Sequence, residues 1–338
     1  SAATGMVTTL GALILMRLLV GAAEAVVIPA SYRWMGNNFR ESQKGLAVGI
    51  FAMGGKFGPA IGAPIAAWII VNHSWQLMFV ATGLVGLLWL GPWLLMVKND
   101  FPSKAELVTR RDTAASVTFG SLLASPVVWG GMINNFCYGY FTFYCMTWMP
   151  AYLVEQRGLS LEKSGLYTFF SFAGIAIVAT IAGWAADRLI ARGRDAVRVR
   201  KSFVVAGFIG GTTVLLGAYA PPLQQALFWN VLSLSLLGLV TANNTTLCKL
   251  TLIPKPAIGL NTGLQQVATS LAGGISASLS GWLLHVSGSY TAPMLAIFVF
   301  LLIGAGSSVI LLQRKWAPKV GAPAAQEAPP LHDALGKL

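Results

Sequence analysis

The chain is a succession of long apolar runs separated by short polar stretches. Nine runs stand out, at 13–34, 46–71, 76–97, 127–152, 164–186, 202–220, 225–248, 258–284 and 291–313. A helix needs about 20 mostly apolar residues to cross the hydrocarbon core of a bilayer. Residues 1–10 read as the end of a tenth such segment. Inside a bilayer an unpaired backbone group has no water to turn to, so each run is expected to be helical. The pattern predicts an all-α integral membrane bundle.

The polar stretches carry the organisation. Nineteen of the 23 lysines and arginines fall in one set of alternate loops and the C-terminal stretch, and only Arg157 and Lys163 fall in the opposite set. Basic loops stay on the cytoplasmic side, so the richer set, which includes Lys44, Arg200 and Lys249, is expected there. The longest polar stretch, 98–126, reads as a cytoplasmic linker between the remainder of an N-terminal half (1–97) and a C-terminal half of six helices (127–313). Two helices and most of a third ahead of Ser1 would complete a six-plus-six layout, so the chain is expected to begin inside a helix. Residues 314–338, rich in Pro and Ala, read as a flexible cytoplasmic tail.

Composition fits this picture. Hydrophobic residues make up 55% of the 338, charged residues only 10%, and mean hydropathy is +0.68. A soluble domain carries roughly 25% charged residues. Thirty-seven glycines suit closely packed transmembrane helices. The net charge of +12 arises in short loops between apolar runs, which points to membrane orientation and not to nucleic acid. Cys137, Cys145 and Cys248 lie in apolar runs without disulfide or metal spacing, and the three histidines are scattered. No Walker loop, HExxH or GxSxG is present, so an enzyme is not expected, nor a cofactor or bound metal. The lipid bilayer is an expected partner, with the protein a monomer.

Three stretches resemble one family. Arg17-Leu-Leu-Val-Gly-Ala-Ala-Glu24-Ala, with Pro29 and Ala30, resembles the fourth helix of the major facilitator superfamily, in its anion:cation symporter branch. Trp148-Met-Pro-Ala-Tyr-Leu153, followed by Arg157-Gly-Leu-Ser-Leu161, resembles the branch's seventh helix and the loop after it. Gly183-Trp-Ala-Ala-Asp187-Arg188, with Arg192-Gly193-Arg194, resembles the superfamily's Gly-x-x-x-Asp-Arg…Gly-Arg cytoplasmic loop; a weaker match is Ile253-Pro254-Lys255 with Gly259 and Gly263. The resemblance implies carriage of carboxylates such as sugar acids or aromatic acids, driven in many bacterial members by inward proton flow. It also implies that two helices ahead of this stretch contribute substrate contacts, so that the stretch alone does not transport.

Glu24 lies mid-span, where a carboxylate is expensive and is therefore paired, protonatable or beside water. The resemblance assigns it proton coupling; the alternative is a fixed helix-pairing partner. Arg17, two turns earlier, suits a substrate carboxylate or reaches back to the interface. Lys56, deep in the next run, serves a shared anion site or a structural pair with Glu24. Asn134 and Tyr138 share a face, and with Asn243, Asn244, Gln265 and Gln266 they either line a wet cavity or bond helix to helix. In the loop, Asp187 with Arg188, Arg192, Gly193 and Arg194 reads as a gate latch, with simple topological charge as the alternative.

Together these expectations describe proton-coupled uptake of a small organic anion by alternating access. The alternatives are a proton-coupled antiporter exporting drugs or metabolites and a passive facilitator. In-span Arg17 and Lys56 against Glu24 favour an anion over a cation.

Overall fold

The computed structural model describes residues 2–96 and 119–318; within its helices the side chains of Arg17 and Lys56 lie outside the described set. Each of the nine apolar runs is helical, and the helix ends follow from local chemistry. A 3₁₀ turn (Ala2–Met6) leads to α1 (Leu10–Glu24), whose cap is Thr9, with a side chain that accepts from the Ala12 N–H at 3.3 Å. Pro29 has no N–H to give the carbonyl of Ala25 and its ring crowds that carbonyl, so the helix breaks at 25–26 and resumes as α2 (Val27–Asn38). Next come α3 (Lys44–Asn72), α4 (Trp75–Leu88) and α5 (Leu90–Met96), with Ser74 capping α4.

After residue 118 come a short α6 (Phe119–Leu123), α7 (Pro126–Thr147), α8 (Met149–Ala151) and a π turn at Tyr152–Gln156. Pro150 breaks the ladder here as Pro29 does in α1. Then follow α9 (Leu161–Ala191), α10 (Ala196–Gly211), α11 (Val214–Tyr219) and α12 (Leu223–Thr245), which runs into a second π turn at Thr246–Thr251. The last two are α13 (Ile258–Ser287) and α14 (Thr291–Ile310). Between α9 and α10 the chain reverses through Gly193 at φ 86, a left-handed conformation that glycine adopts without a Cβ penalty, and Asp195 caps α10. Among the described residues seven helical stretches are long and apolar enough to cross a membrane.

One buried cluster, with Tyr140, Tyr144, Phe208, Leu237 and Leu301, ties α7, α9, α10, α12 and α14 together. A second, with Tyr32, Val48, Leu250, Ile258 and Leu312, fastens α2 and α3 to the later helices at the basic end. The outward faces are apolar: Leu18 is 66% exposed, Leu88 73% and Trp282 60%. Such a belt is costly in water and suits lipid.

Two expectations change at the edges. The stretch read as linker is helical from Phe119, with Leu122 fully buried; residues 97–118 lie outside the described residues. The tail does not leave the bundle at 314. The Ser125 hydroxyl donates to the Trp316 carbonyl at 2.6 Å, and Arg314 pairs with Asp195 at 2.8 Å. Trp316 gives this segment an apolar anchor, which its polar sequence concealed. Residues 319–338 lie outside the described residues.

Candidate functional site

A cavity of about 360 Å³ opens where α2 and α3 face α7, α12 and α13. Its apolar side is Ile28, Phe51, Ala52 and Val240, with Gly55 in the wall. Its polar side is Tyr32, Asn135, Tyr138, Thr241, Asn244, Thr245, Lys249, Gln266 and Thr269. A mostly apolar hollow with a few convergent polar groups is the common form of a small-molecule site.

Several of these side chains are held in place by bonds to each other. The Tyr138 and Thr241 hydroxyls lie 3.0 Å apart. Asn135 donates to Gly131 O at 2.7 Å and to Gln265 Oε1 at 3.0 Å. Asn244 Oδ1 accepts from Asn134 at 2.9 Å. Of the residues singled out from sequence, Tyr138, Asn244 and Gln266 line the cavity. Asn134, Asn243 and Gln265 stand behind it. Asn134 also donates to Ser308, Gln265 to the Cys248 carbonyl, and Asn243 to the Leu239 carbonyl of its own helix. Glu24 closes α1 and is exposed, while Arg17 and Lys56 are placed only by their backbones in α1 and α3.

Lys249 was counted among the cytoplasmic loop cations. The structure corrects this. It sits in the π turn that ends α12, is 4% exposed, and holds its ammonium 4.7 Å from the centre of the Tyr32 ring at the cavity wall. Its apolar run ends at Cys248, one residue short, so the pattern placed it outside.

Beyond this end of the cavity lies a charged cluster, at the place where sequence led one to expect a latch. Asp187, at the end of α9, accepts from the N–H groups of Gly45 at 3.1 Å and Leu46 at 2.7 Å. These are unpaired donors at the start of α3, where the helix dipole also favours an anion. Arg200 of α10, fully buried, donates to the same carboxylate at 2.7 Å and to the Glu41 carbonyl at 2.8 Å. Glu41 pairs with Lys44 at 2.9 Å and accepts from Thr251, two residues beyond Lys249. Lys44 also donates to the Leu250 carbonyl at 3.2 Å.

The latch is thus not the one drawn from sequence. Asp187 is in it; Arg188, Arg192, Gly193 and Arg194 are exposed and outside it, with Arg188 lying over the Trp184 ring. Arg200, Glu41, Lys44 and Thr251 take their place. The only sequence signal of Arg200, Glu41 and Lys44 was charge in loops, which topology also explains, and Thr251 gave none.

Burial pushes the Glu41 carboxyl up, but hydrogen bonds from Thr251 and Lys44 and the charges of Lys44 and Arg200 outweigh it and hold it below its usual 4.5. A carboxyl lowered in the closed state contributes to closure above the ordinary value and stops only as pH falls through the lowered one. A cysteine at the buried Val48 is therefore expected to stay unreactive to maleimide from pH 8 to about 5. Reactivity appearing between pH 8 and 6 would show that another group governs closure.

Comparison with known proteins now decides the family. The Major Facilitator Superfamily profile matches residues 1–252. The chain belongs to the major facilitator superfamily. It is therefore a multi-pass membrane transporter of all-α fold, not an enzyme. Its superfamily relatives include the Bacillus subtilis uncharacterized transporter YybO, 28% identical over 86% of this chain and 71% of that one. The D-galactonate transporter of Escherichia coli O6:H1 is 26% identical, over 91% and 76%. The hexuronate transporter of Bacillus subtilis is 27% identical, over 94% and 75%. Two rice chloroplast proteins named as probable anion transporters, and the Arabidopsis chloroplast ascorbate transporter, match over about 40% of their length or less. Two of these relatives are named for the sugar acids galactonate and hexuronate. Among solved superfamily structures, the Escherichia coli fucose:proton symporter FucP has the same fold, with a TM-score of 0.61 at 14% identity over 87% of this chain and 74% of that one.

Proposed function

We propose that the protein is a secondary active transporter that takes up a small organic anion together with protons by alternating access. The observation that carries this reading is a polar cavity between two groups of helices, shut at one end by a charged latch that joins them. A carrier of this kind needs a central site and a gate that makes and breaks as the groups rock. The basic end, by its excess of cations, faces the cytoplasm.

The named substrates of the bacterial relatives, galactonate and hexuronate, support a sugar acid as cargo. FucP, named as a proton symporter, supports the coupling ion. The cavity offers hydroxyl and amide groups for hydroxyls, and Lys249 for a negative charge. Glu24 is the coupling acid, Arg17 and Lys56 are further anion contacts, and Asp187 with Arg200 closes the cytoplasmic gate.

The test is uptake of labelled carboxylates into proteoliposomes holding the full-length protein, with and without an inward proton gradient. Accumulation is expected only with the gradient. Glu24→Gln is expected to retain exchange and to lose accumulation by about tenfold or more, the scale of removing one proton-transfer group. Accumulation indifferent to both gradient and substitution would leave facilitated diffusion; uptake of no carboxylate would leave export.

A further inference from the structure

We propose that Lys249 is the anchor for the negative charge of the ligand that enters the cavity. The inference deepens the transport reading above and takes from it only the identity of that anion as a carboxylate.

The Lys249 ammonium is 4% exposed and forms no ion pair among the described residues. A buried charge without a counter-ion is expensive, and proteins keep one mainly where something neutralises it in use. The Tyr32 ring covers one side of it at 4.7 Å. A ring face offsets a fraction of the cost and leaves donors of the ammonium to be satisfied. The nearest candidate carboxylate along the fold, Glu41, is already taken by Lys44, Arg200 and Thr251. Lys249 is one of the residues that line the cavity.

The surroundings define the ligand. Asn135, Tyr138, Thr241, Asn244 and Gln266 bring amides and hydroxyls but no charge to the same hollow. These groups recognise hydroxyls. Among the described lining side chains Lys249 is the single cation, and it supplies the counter-charge for a carboxylate. The geometry therefore favours a polyhydroxylated carboxylate over the uncharged polyol.

The test is thermal unfolding of the purified full-length protein with D-galactonate, galactarate or galactitol. Wild type, Lys249→Met and Lys249→Arg are compared. Galactonate and galactarate are expected to raise the wild-type Tm, and galactitol to raise it least. Lys249→Met alone is expected to melt no lower than wild type, because an unpaired buried charge is gone, and to lose the galactonate shift. Lys249→Arg is expected to keep the shift at about tenfold higher concentration, since the charge remains but its shape changes. A Lys249→Met protein that melts lower yet keeps the full galactonate shift makes Lys249 a structural residue and overturns the proposal. So does a wild-type protein that no carboxylate protects. Protection lost in Lys249→Met, in a protein whose uptake ignores the proton gradient, leaves Lys249 standing and removes the symport reading. Gradient-driven uptake with galactonate protection unchanged in Lys249→Met does the reverse.

Discussion

Asp187→Asn is expected to open the basic end of the bundle. The carboxylate binds two backbone N–H groups of α3 and the buried guanidinium of Arg200 at once. Removing one partner of a buried charge pair costs about 3–5 kcal/mol, because the other charge stays buried and uncompensated. The amide oxygen still accepts from one N–H, and Arg200 keeps Glu41 at 3.6 Å, so the lower end of that range applies. About 3 kcal/mol corresponds to a shift of roughly 100-fold between closed and open forms. The reporter is a cysteine replacing Val48, which is fully buried where α3 meets the later helices, in a protein lacking Cys137, Cys145 and Cys248. Maleimide labelling from the basic side should accelerate by about that factor. An unchanged rate would show that the apolar cluster, and not Asp187, keeps this end shut.

The second large effect is steric. Gly183 of α9 and Gly45 of α3 meet backbone to backbone: a methyl on Gly183 would fall on the Gly45 carbonyl, with the carbonyl carbon at 2.8 Å. Neither atom can step aside without moving a helix. A methyl on Gly45 would meet Asp187 Oδ1 at 2.6 Å and Arg200 Nη1 at 2.6 Å. Gly183→Ala should therefore hold α3 off α9, stretch the bonds from Gly45 and Leu46 to Asp187, and abolish closure while leaving the rest of the bundle intact. Overpacking of this kind costs about 1–3 kcal/mol, enough to lower exchange across proteoliposomes by about tenfold or more. Gly259→Ala is the control, since a methyl there meets nothing within 4 Å. Equal exchange in both variants would show that the approach of α3 to α9 is not part of the transport cycle.

The spans were legible because the bilayer imposes one rule on every crossing segment: it must be long, apolar and helical. The ends were not read from the runs, although single residues decide them: Pro29 breaks the run 13–34 after α1, and Ser74 caps α4. Asp187 was legible for another reason. A lone carboxylate among cations, at the end of a span, calls for a partner. Which partner was not legible, because sequence spacing reports neighbours on one helix and says nothing of what a different helix brings. Arg200 comes from α10, and Glu41 from the turn before α3. Lys249 was hidden by the way loops are counted. A cation at the end of an apolar run reads as orientation signal whether it points to water or into the bundle. Asn134 and Asn135 make the same point at finer scale. They are adjacent in sequence, yet Asn134 bonds to Asn244 and Ser308 behind the wall and Asn135 forms part of the wall itself.

The π turn at Thr246–Thr251 fits one surplus residue into the end of α12. That surplus is a phase error of about 100°, the angle one residue subtends on an α-helix. Everything after the turn is rotated by that amount from where an uninterrupted helix would put it. Lys249 and Thr251 lie inside the turn, and its wider winding brings Lys249 to the cavity wall and Thr251 to Glu41, so cavity and latch share one local winding. Deleting a single residue from the turn would reset the phase of both, and an interconversion of π and α winding would act on them as a crank acts on two rods fixed to the same shaft.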